Sequence, residues 1–166
     1  MFVEIELKDI LEHPLGNGSV LLLQESKGSR VCLINVGPVE ASMIADQLEG
    51  VVTPRPMAHD LVVEVLSCSG SALQATYIER VLASTYYAAL EISQPDGGTL
   101  RIDARPSDAI TIALKQDRPI YMHDQLLNCN PAVNGHAPCE ESDILSGILE
   151  SGGIQKGDHN TKRRQR

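Results

Sequence analysis

The sequence predicts an α+β fold, and three observations point to it. Several short stretches alternate apolar and polar residues with period two, which is typical of strands with one buried face. Two of these stretches, residues 31–36 and 100–104, lead into a segment that begins near a Pro and has apolar residues at helical spacing. Short stretches of turn-forming residues connect several of the predicted strands. We therefore expect a mostly antiparallel or mixed sheet, built from a duplicated strand–helix unit, with about three main helices.

The duplication appears when two stretches of the chain are aligned. Residues 37–45 read GPVEASMIA and residues 105–113 read RPSDAITIA. Pro, an acid two positions later, Ala, Ile and Ala recur in register, and an alternating strand precedes each stretch. Internal similarity of this kind suggests that one supersecondary unit occurs twice.

The first half of the chain is predicted to form a three-stranded meander followed by two helices. The strands are residues 3–7, 20–23 and 30–36, with turns at Gly16-Asn17-Gly18 and at Lys27-Gly28-Ser29. The first helix runs from about Pro38 to Leu48, and the second lies near Met57 to Ser69 after a Pro-rich link. The buried stripe of the second helix is expected to be Leu61, Val62, Val65 and Leu66.

The second half is predicted to contain four strands and one further helix. The strands are 73–82, 85–92, 100–104 and 120–122, with a hairpin turn at 95–98, and a helix begins at Pro106. Residues 124–127 add one helical turn. The predicted core is Val3, Ile5, Leu22, Leu33, Ile44, Leu48, Leu61, Val65, Ile78, Leu90, Ile102, Ile110, Ala113, Leu114 and Ile120.

Charge and composition argue against a tight nucleic-acid binder. The net charge is −8, and the last five residues, KRRQR, are basic, so the remaining chain is more acidic still. Such a surface repels phosphate backbones at long range. Aromatic residues make up only 3% of the chain, which disfavours modules that read single strands by stacking bases.

Cysteine usage and hydropathy predict a cytoplasmic protein. The four cysteines form no C-x-x-C pair, and no signal peptide or long apolar run is present, so reduced thiols are the simplest interpretation. A zinc site could be drawn from Cys129, Cys139, His123 and His136, but their spacing fits no common zinc module.

We expect a domain over residues 1–128, followed by a linker and tail over residues 129–166. Asn, Pro, Gly, Ser and charged residues dominate the second part, which is typical of linkers. A short helix is predicted at about 142–150, and residues 152–166 are predicted to be a disordered basic tail.

Two Arg-Pro corners carry most of the polar residues that point to chemistry. They are 55–60, RPMAHD, and 105–108, RPSD, and Glu40 holds the position in the first repeat that Asp108 holds in the second. Carboxylates hold Mg²⁺ or Mn²⁺, an arginine clamps phosphate oxygens, and a histidine transfers a proton near neutral pH. These are the parts that phosphodiester hydrolysis needs.

We assign roles to eight residues on this basis. The candidate catalytic residues are His59, Asp60, Asp108 and Arg105. The candidate substrate contacts are Arg55, Arg105 and Ser107. The candidate ligands of a divalent metal are Asp108, Asp60, Asp103 and Glu40. A structural explanation also exists, because an acid in the first helical turn stabilises the helix by ~0.3–1 kcal/mol and the arginines can pair with nearby acids.

The same motifs resemble the bifunctional nuclease domain family. The matching stretches are PRPMAHDL at 54–61, DARPSDAI at 103–110, Ala113-Leu114 and Pro119-Ile120-Tyr121, together with the first repeat. The resemblance covers about residues 1–128. It implies an α+β domain with nuclease activity and both DNA and RNA as substrates.

Two functional hypotheses follow. The first is a metal-assisted nuclease that hydrolyses phosphodiester bonds in DNA and RNA, with no membrane association. The second is a non-catalytic module that binds a protein or small ligand through the same polar corner and self-associates as a homo-oligomer. Convergence of the acids, His59 and an arginine on one open cleft favours the first, whereas separate salt bridges favour the second.

Overall fold

The computed structural model describes residues 1–12 and 18–127, which form one sheet with helices packed on it. None of the helices in these two ranges is long and apolar enough to cross a membrane. The strands are β1 Phe2–Glu12, β2 Ser19–Glu25, β3 Val31–Val36, β4 Ala72–Leu82, β5 Thr85–Ser93, β6 Thr99–Ala104 and β7 Ile120–His123. The helices are α1 Pro38–Leu48, α2 Ala58–Cys68 and α3 Pro106–Lys115, and a 3-10 turn follows at Asp124–Leu126.

The seven strands form one mixed sheet in the order β3-β2-β1-β7-β4-β5-β6. Two antiparallel meanders, β1-β2-β3 and β4-β5-β6, lie on either side of β7, which pairs antiparallel with β1 and parallel with β4. Each meander ends in a helix that begins with Pro, α1 after β3 and α3 after β6. The predicted strand–helix order therefore occurs twice, as part of a larger strand–strand–strand–helix unit.

The helices cover one face of the sheet, with α3 at the centre. Six of its ten residues are buried, and α1 and α2 both pack against it. The hydroxyl of Thr76 on β4 donates to the carbonyl of Ala109 at 3.3 Å, which ties α3 to the sheet beneath it. Ile44, Ile78, Ile110 and other fully buried side chains fill the space between the sheet and the helices.

The opposite face of the sheet has no helix among the described residues. Phe2, Tyr77 and Tyr121 meet there, with the Tyr77 and Tyr121 rings stacked at 5.3 Å between centroids and Phe2 edge-on to Tyr77 at 5.0 Å. The Arg101 guanidinium lies 4.3 Å from the centroid of the Tyr77 ring. Most of the few aromatic residues are thus used to cover the open face rather than to build the main core.

Most of the predicted elements are confirmed, and eight of the fifteen predicted core residues are buried. Val3, Leu22 and Leu114 are half-buried. Four residues were predicted wrongly, because they are 41–63% exposed: Leu48, Leu61, Val65 and Ile102. Residues 13–17 and 128–166 lie outside the described residues. These ranges include the predicted turn residues Gly16 and Asn17, the alternative zinc ligands beyond His123, the predicted 142–150 helix and the basic tail.

The buried stripe predicted for α2 is largely wrong. His59, Val63 and Leu66 pack towards the core, while Leu61 and Val65 are 52% and 63% exposed. These three inward residues are spaced by four and three positions, as one face of a helix requires. Apolar residues lie nearly all around this helix, so its periodicity does not decide which face is buried.

Candidate functional site

Helices α1 and α3 begin in the same way, with an extended N-cap residue followed by Pro. Gly37 and Arg105 are these N-cap residues, with φ −69° and ψ 162° for Gly37 and φ −69° and ψ 146° for Arg105. Pro at the next position has the backbone angle that a first helical turn requires and needs no hydrogen-bond acceptor. The acid two residues later, Glu40 or Asp108, then projects from the first turn of its helix.

Arg105 joins the two acids. Its Nε donates to Asp108 Oδ2 at 2.7 Å and its Nη2 donates to Asp108 Oδ1 at 3.0 Å. Its Nη1 donates to Glu40 Oε1 at 2.9 Å across 65 positions of sequence. A bidentate guanidinium–carboxylate pair of this kind fixes both orientation and charge. The corresponding acids of the two repeats are therefore held by one arginine.

The first repeat has no arginine of its own at this place. Gly37 occupies the position that corresponds to Arg105, and a Cβ at Gly37 would lie 2.5 Å from Glu40 Oε2. A side chain at residue 37 would therefore displace the Glu40 carboxylate. The acids of the two repeats therefore share one guanidinium group, that of Arg105 in the second repeat.

His59 completes this cluster from α2. Its Nε2 lies 3.0 Å from Asp108 Oδ1, and the residue is only 8% exposed. Arg105 first, and then His59, lower the pKa of Asp108, against the opposing effect of partial burial. Asp108 and Glu40 in turn raise the pKa of Arg105. Asp108 is thus ionised over the ordinary pH range.

The Asp108 contact assigns the tautomer of neutral His59. An ionised carboxylate only accepts hydrogen bonds, so Nε2 carries the hydrogen and Nδ1 carries a lone pair. His59 also lines a cleft of about 380 Å³ between α1, α2 and α3. A histidine oriented by a carboxylate beside a cleft is the arrangement that general acid–base catalysis uses.

Asp60 is held on the same cleft but in a separate ion pair. Its Oδ1 lies 2.6 Å from Lys115 Nζ, and its Oδ2 accepts from the Met57 backbone N–H at 2.8 Å. Lys115 also donates to Gln47 Oε1 at 3.1 Å. The Lys115 contact is the largest cause of the lowered pKa of Asp60. Asp60 therefore stabilises the start of α2 and connects α2 to α3.

The remaining predicted site residues, which are not part of the ion pairs described above, are Asp103, Arg55 and Ser107. Asp103 is opposite Ala89, in the row of Tyr77, and so lies on the helix-free face of the sheet. Arg55 is exposed, and its side chain makes no hydrogen bond or ion pair with any described residue. Ser107 is buried and lines a second cleft of about 320 Å³, which Glu40 and Arg105 also line.

The four predicted metal ligands do not form a ready cation site. Both oxygens of Asp108 already accept hydrogen bonds from Arg105, and Asp60 is paired with Lys115. Within residues 1–12 and 18–127, no group of three or more His, Cys, Asp or Glu side chains is placed to hold a metal ion. A divalent cation on Asp108 and Glu40 would have to displace the guanidinium between them. The observed donor set therefore does not fit a metal without rearrangement.

Two residues of this region were missed in the sequence. Lys115 and Gln47 contribute to the ion-pair network that surrounds the first cleft, yet each lies near the end of a helix without any motif. The only signal available was that Lys115 is the basic residue in the last turn of α3, which has an ordinary explanation in the helix dipole.

The described chain is thus an α+β domain in which a carboxylate-oriented histidine lies beside a cleft. Residues 21–133 match the model of the bifunctional nuclease domain. The chain belongs to the bifunctional nuclease domain family, as the motifs had indicated.

Several proteins are similar to this chain over most of its length. Proteins from two strains of Mycobacterium tuberculosis, both named uncharacterized, are 37% identical over 111 residues, which is 67% of this chain and 65% of theirs. Bifunctional nuclease 1 of Oryza sativa subsp. indica and the bifunctional nuclease of Oryza minuta are 26% identical over 125 residues. That alignment covers 74% of this chain and 36% of the rice proteins, so it spans about a third of their length.

Proposed function

We propose that this protein is a nuclease that hydrolyses phosphodiester bonds in DNA and RNA, with the His59–Asp108 pair as its acid–base centre. The observation that carries the proposal is the 3.0 Å contact between His59 Nε2 and Asp108 Oδ1, on a largely buried histidine that lines a cleft. The family, and the rice relatives named bifunctional nuclease, support a nucleic-acid substrate.

In this proposal His59 transfers the proton, and Asp108 orients the His59 ring. Nδ1 of His59 takes a proton from the attacking water, and the leaving oxygen, which departs on the opposite side of the phosphorus, takes its proton from solvent. Asp108 holds the ring through Nε2 and stabilises the positive charge that the ring acquires. Asp108 stays ionised throughout, because Arg105 lowers its pKa.

The arginines and Ser107 are the proposed contacts to the scissile phosphate. A guanidinium has five N–H donors, and Arg105 uses three of its nitrogens on Asp108 and Glu40, so further donors remain for a phosphate oxygen. Arg55 is exposed and makes no ion pair within the described part of the chain, which leaves its charge available. Ser107 lines the cleft beside Arg105.

Mg²⁺ or Mn²⁺ is retained as a proposed cofactor, and no step is assigned to it. A divalent cation would neutralise phosphate charge next to an acidic protein. The observed contacts of Asp108 and Asp60 do not fit such an ion. The experiment below therefore measures cleavage with Mg²⁺, with Mn²⁺ and with chelator. The cytoplasmic location likewise stays a prediction, to be checked by cell fractionation.

The experiment is cleavage of end-labelled single-stranded DNA, double-stranded DNA and RNA by the purified full chain. Each substrate is incubated with Mg²⁺, with Mn²⁺ and with chelator. His59→Ala is expected to lower the rate by about 10²–10⁴-fold. Asp108→Asn is expected to abolish cleavage, and Arg105→Ala to weaken substrate binding and rate together.

Matched controls separate catalysis from contamination and misfolding. His123→Ala on β7 and Asp117→Asn beyond α3 make the same chemical changes at residues outside the two clefts, and both should cleave at the full rate. Thermal unfolding of each variant shows whether it is folded. Cleavage that survives both His59→Ala and Asp108→Asn at full rate would refute the assignment and point to a contaminating nuclease.

A binding module is the second candidate, because one observation favours it. Arg105 satisfies both Glu40 and Asp108, so these groups already form a closed network that locks α1 to α3. If no substrate is cleaved under any metal condition, while Arg105→Ala unfolds the protein, the polar corner is structural and the two clefts are the sites to screen for ligands.

A further inference from the structure

Strand β6 is an unprotected edge of the sheet. It lies at the end of the strand order and pairs with β5 over six consecutive residue pairs without a bulge. Five of its six residues are exposed, and only Ala104 is half-buried. An edge strand that is regular and uncovered offers its free N–H and C=O groups to another strand.

The strand at the opposite edge of the sheet, β3, is much more buried than β6. Four of the six residues of β3 are buried, and the Cys32 Sγ on this strand lies 3.5 Å from the Tyr86 hydroxyl on β5. Strand β3 therefore contacts β5 through its side chains. Of the two edge strands, β6 is the more exposed.

The helix-side face of β6 continues the hydrophobic core into solvent. Leu100 and Ile102 are paired with Ile92 and Leu90, which are 2% and 5% exposed. Leu100 and Ile102 themselves are 44% and 41% exposed. The row of apolar side chains thus reaches the edge strand, where Leu100 and Ile102 stay partly open to solvent.

The other face of β6 carries one charge of each sign, two residues apart. Arg101 lies against Glu79 at 3.0 Å and Glu91 at 3.6 Å. Asp103 is exposed, and its carboxylate makes no hydrogen bond or ion pair with the part of the chain that the structure describes. Arg101 and Asp103 flank Ile102. When the same strand runs in the opposite direction, an arginine therefore faces an aspartate on each side of Ile102.

We propose that β6 pairs antiparallel with β6 of a second copy of this chain, about a twofold axis at Ile102. In this register Ile102 lies opposite Ile102 of the partner subunit. Arg101 lies opposite Asp103 of the partner subunit, and Asp103 lies opposite Arg101 of the partner subunit. Leu100 lies opposite Ala104 of the partner subunit, so the apolar rows meet on the helix side and the opposite charges meet on the other side.

This arrangement joins the two sheets into one. A twofold axis perpendicular to the sheet keeps both helix layers on the same side, so each exposed apolar row gains a continuation. It also removes the unpaired edge, which would otherwise favour aggregation. The proposal does not depend on whether the protein is a nuclease.

A charge-swap experiment tests the pairing by sedimentation of the full chain over a range of concentrations. Asp103→Arg places two arginines on each strand and Arg101→Asp places two acids, so each variant alone meets like charges and its dimer dissociation constant rises by roughly tenfold or more. A mixture of the two variants restores opposite charges and is expected to form the heterodimer. Glu49→Arg, at the end of α1, makes the same charge change as Asp103→Arg away from β6 and should dimerise normally.

A cysteine experiment tests the register without relying on Arg101, which has partners within its own subunit. Directly opposed strand residues have Cα atoms about 4.5–5.5 Å apart, which suits a disulfide. Ile102→Cys should therefore cross-link on mild oxidation beyond the background of the unmodified chain. Leu100→Cys should not, because the two residues would be roughly 13–14 Å apart along the strands.

The outcomes decide the proposal. Loss of dimer in each charge variant, recovery in the mixture and selective cross-linking at residue 102 support it. A wild-type chain that is monomeric up to its solubility limit, a dimer indifferent to both charge changes, or equal cross-linking at residues 100 and 102 would overturn it.

Discussion

At the scale of single residues, Asp108 shows how one acid connects several parts of the fold. It accepts two hydrogen bonds from Arg105 and one from His59, and its side chain is 28% exposed. Its position in the first turn of α3 adds the favourable field of the helix N-terminus. The Asp108 carboxylate thus has three roles: it places a negative charge in the first turn of α3, it connects α3 to α1 through Arg105, and it orients His59.

The contacts of Asp108 should appear in the pH dependence of stability. Its folded-state pKa lies below the ordinary value of about 3.9, so its contribution is fully present above that value and is lost as pH falls through the folded-state pKa. The difference in unfolding free energy between wild type and Asp108→Asn should shrink as the solution is acidified through and below the ordinary carboxyl pKa. Urea unfolding at several pH values measures it.

The comparison for this prediction is Asp117→Asn, which removes one exposed carboxylate just beyond the same helix. It shows what the loss of one surface charge does by itself. A difference for Asp108→Asn that grows as the solution is acidified would have the wrong sign and would refute the pairing described here.

At the scale of elements, the β4–β5 hairpin is built with unusual turn residues. Leu82 pairs with Thr85, so Ala83 and Ser84 are the two turn residues, and both have positive φ, 46° and 64°. Two-residue hairpin turns favour Asn-Gly because side chains other than Asn, Asp and Gly are strained in this region. Ser84 also lines the second cleft, which places this strain beside the Arg105 cluster.

Replacing this turn by Asn-Gly should stabilise the protein. The double variant Ala83→Asn, Ser84→Gly is expected to raise the free energy of unfolding by about 1 kcal/mol, because it relieves two left-handed residues while adding some freedom to the unfolded chain. Thermal and urea unfolding measure the change. Gly97→Ala, in a turn where φ is 85°, is the reverse control and should destabilise. An Asn-Gly variant that is less stable than wild type would show that the turn is not strained.

At the scale of the whole molecule, Lys115 holds the three helices together. From α3 it contacts Asp60 on α2 at 2.6 Å and Gln47 on α1 at 3.1 Å, and its side chain is only 19% exposed. The contacts cross 55 or more positions of sequence, as the numbers of these residues show. Lys115 also lines the first cleft, as do Asp60 and Gln47, so its two contacts link residues of the cleft wall.

Removing this ammonium group should loosen the helix layer. Lys115→Met keeps an unbranched apolar side chain and is expected to lower the free energy of unfolding by about 1–3 kcal/mol, since a charged hydrogen-bonding group is lost and Asp60 loses its partner. Urea unfolding measures it, and hydrogen exchange in α2 should accelerate. Lys27→Met in the exposed β2–β3 turn is the matched control and should change stability by less than about 0.5 kcal/mol. Equal effects of the two variants would mean that the Lys115 contacts contribute nothing.

Local sequence signals predicted the elements because they act within a few residues. Alternation marked the strands, and the Pro after Gly37 and after Arg105 marked the start of α1 and α3. The repeat of this pattern indicated that Glu40 and Asp108 hold equivalent positions, and the structure confirms that both lie in the first turn of their helices. The family followed from the same motifs, since their residues stand close together in sequence.

The tertiary structure decided which of these residues meet, because their contacts join positions far apart in the chain. His59 reaches Asp108 across 49 positions and Arg105 reaches Glu40 across 65, while Asp103, only five residues before Asp108, lies on the other face of the sheet. The buried face of α2 was decided in the same way, by the packing of His59, Val63 and Leu66 rather than by hydrophobic spacing. Periodicity specifies that an element has two faces, but only the neighbours that the fold supplies select the face that is buried.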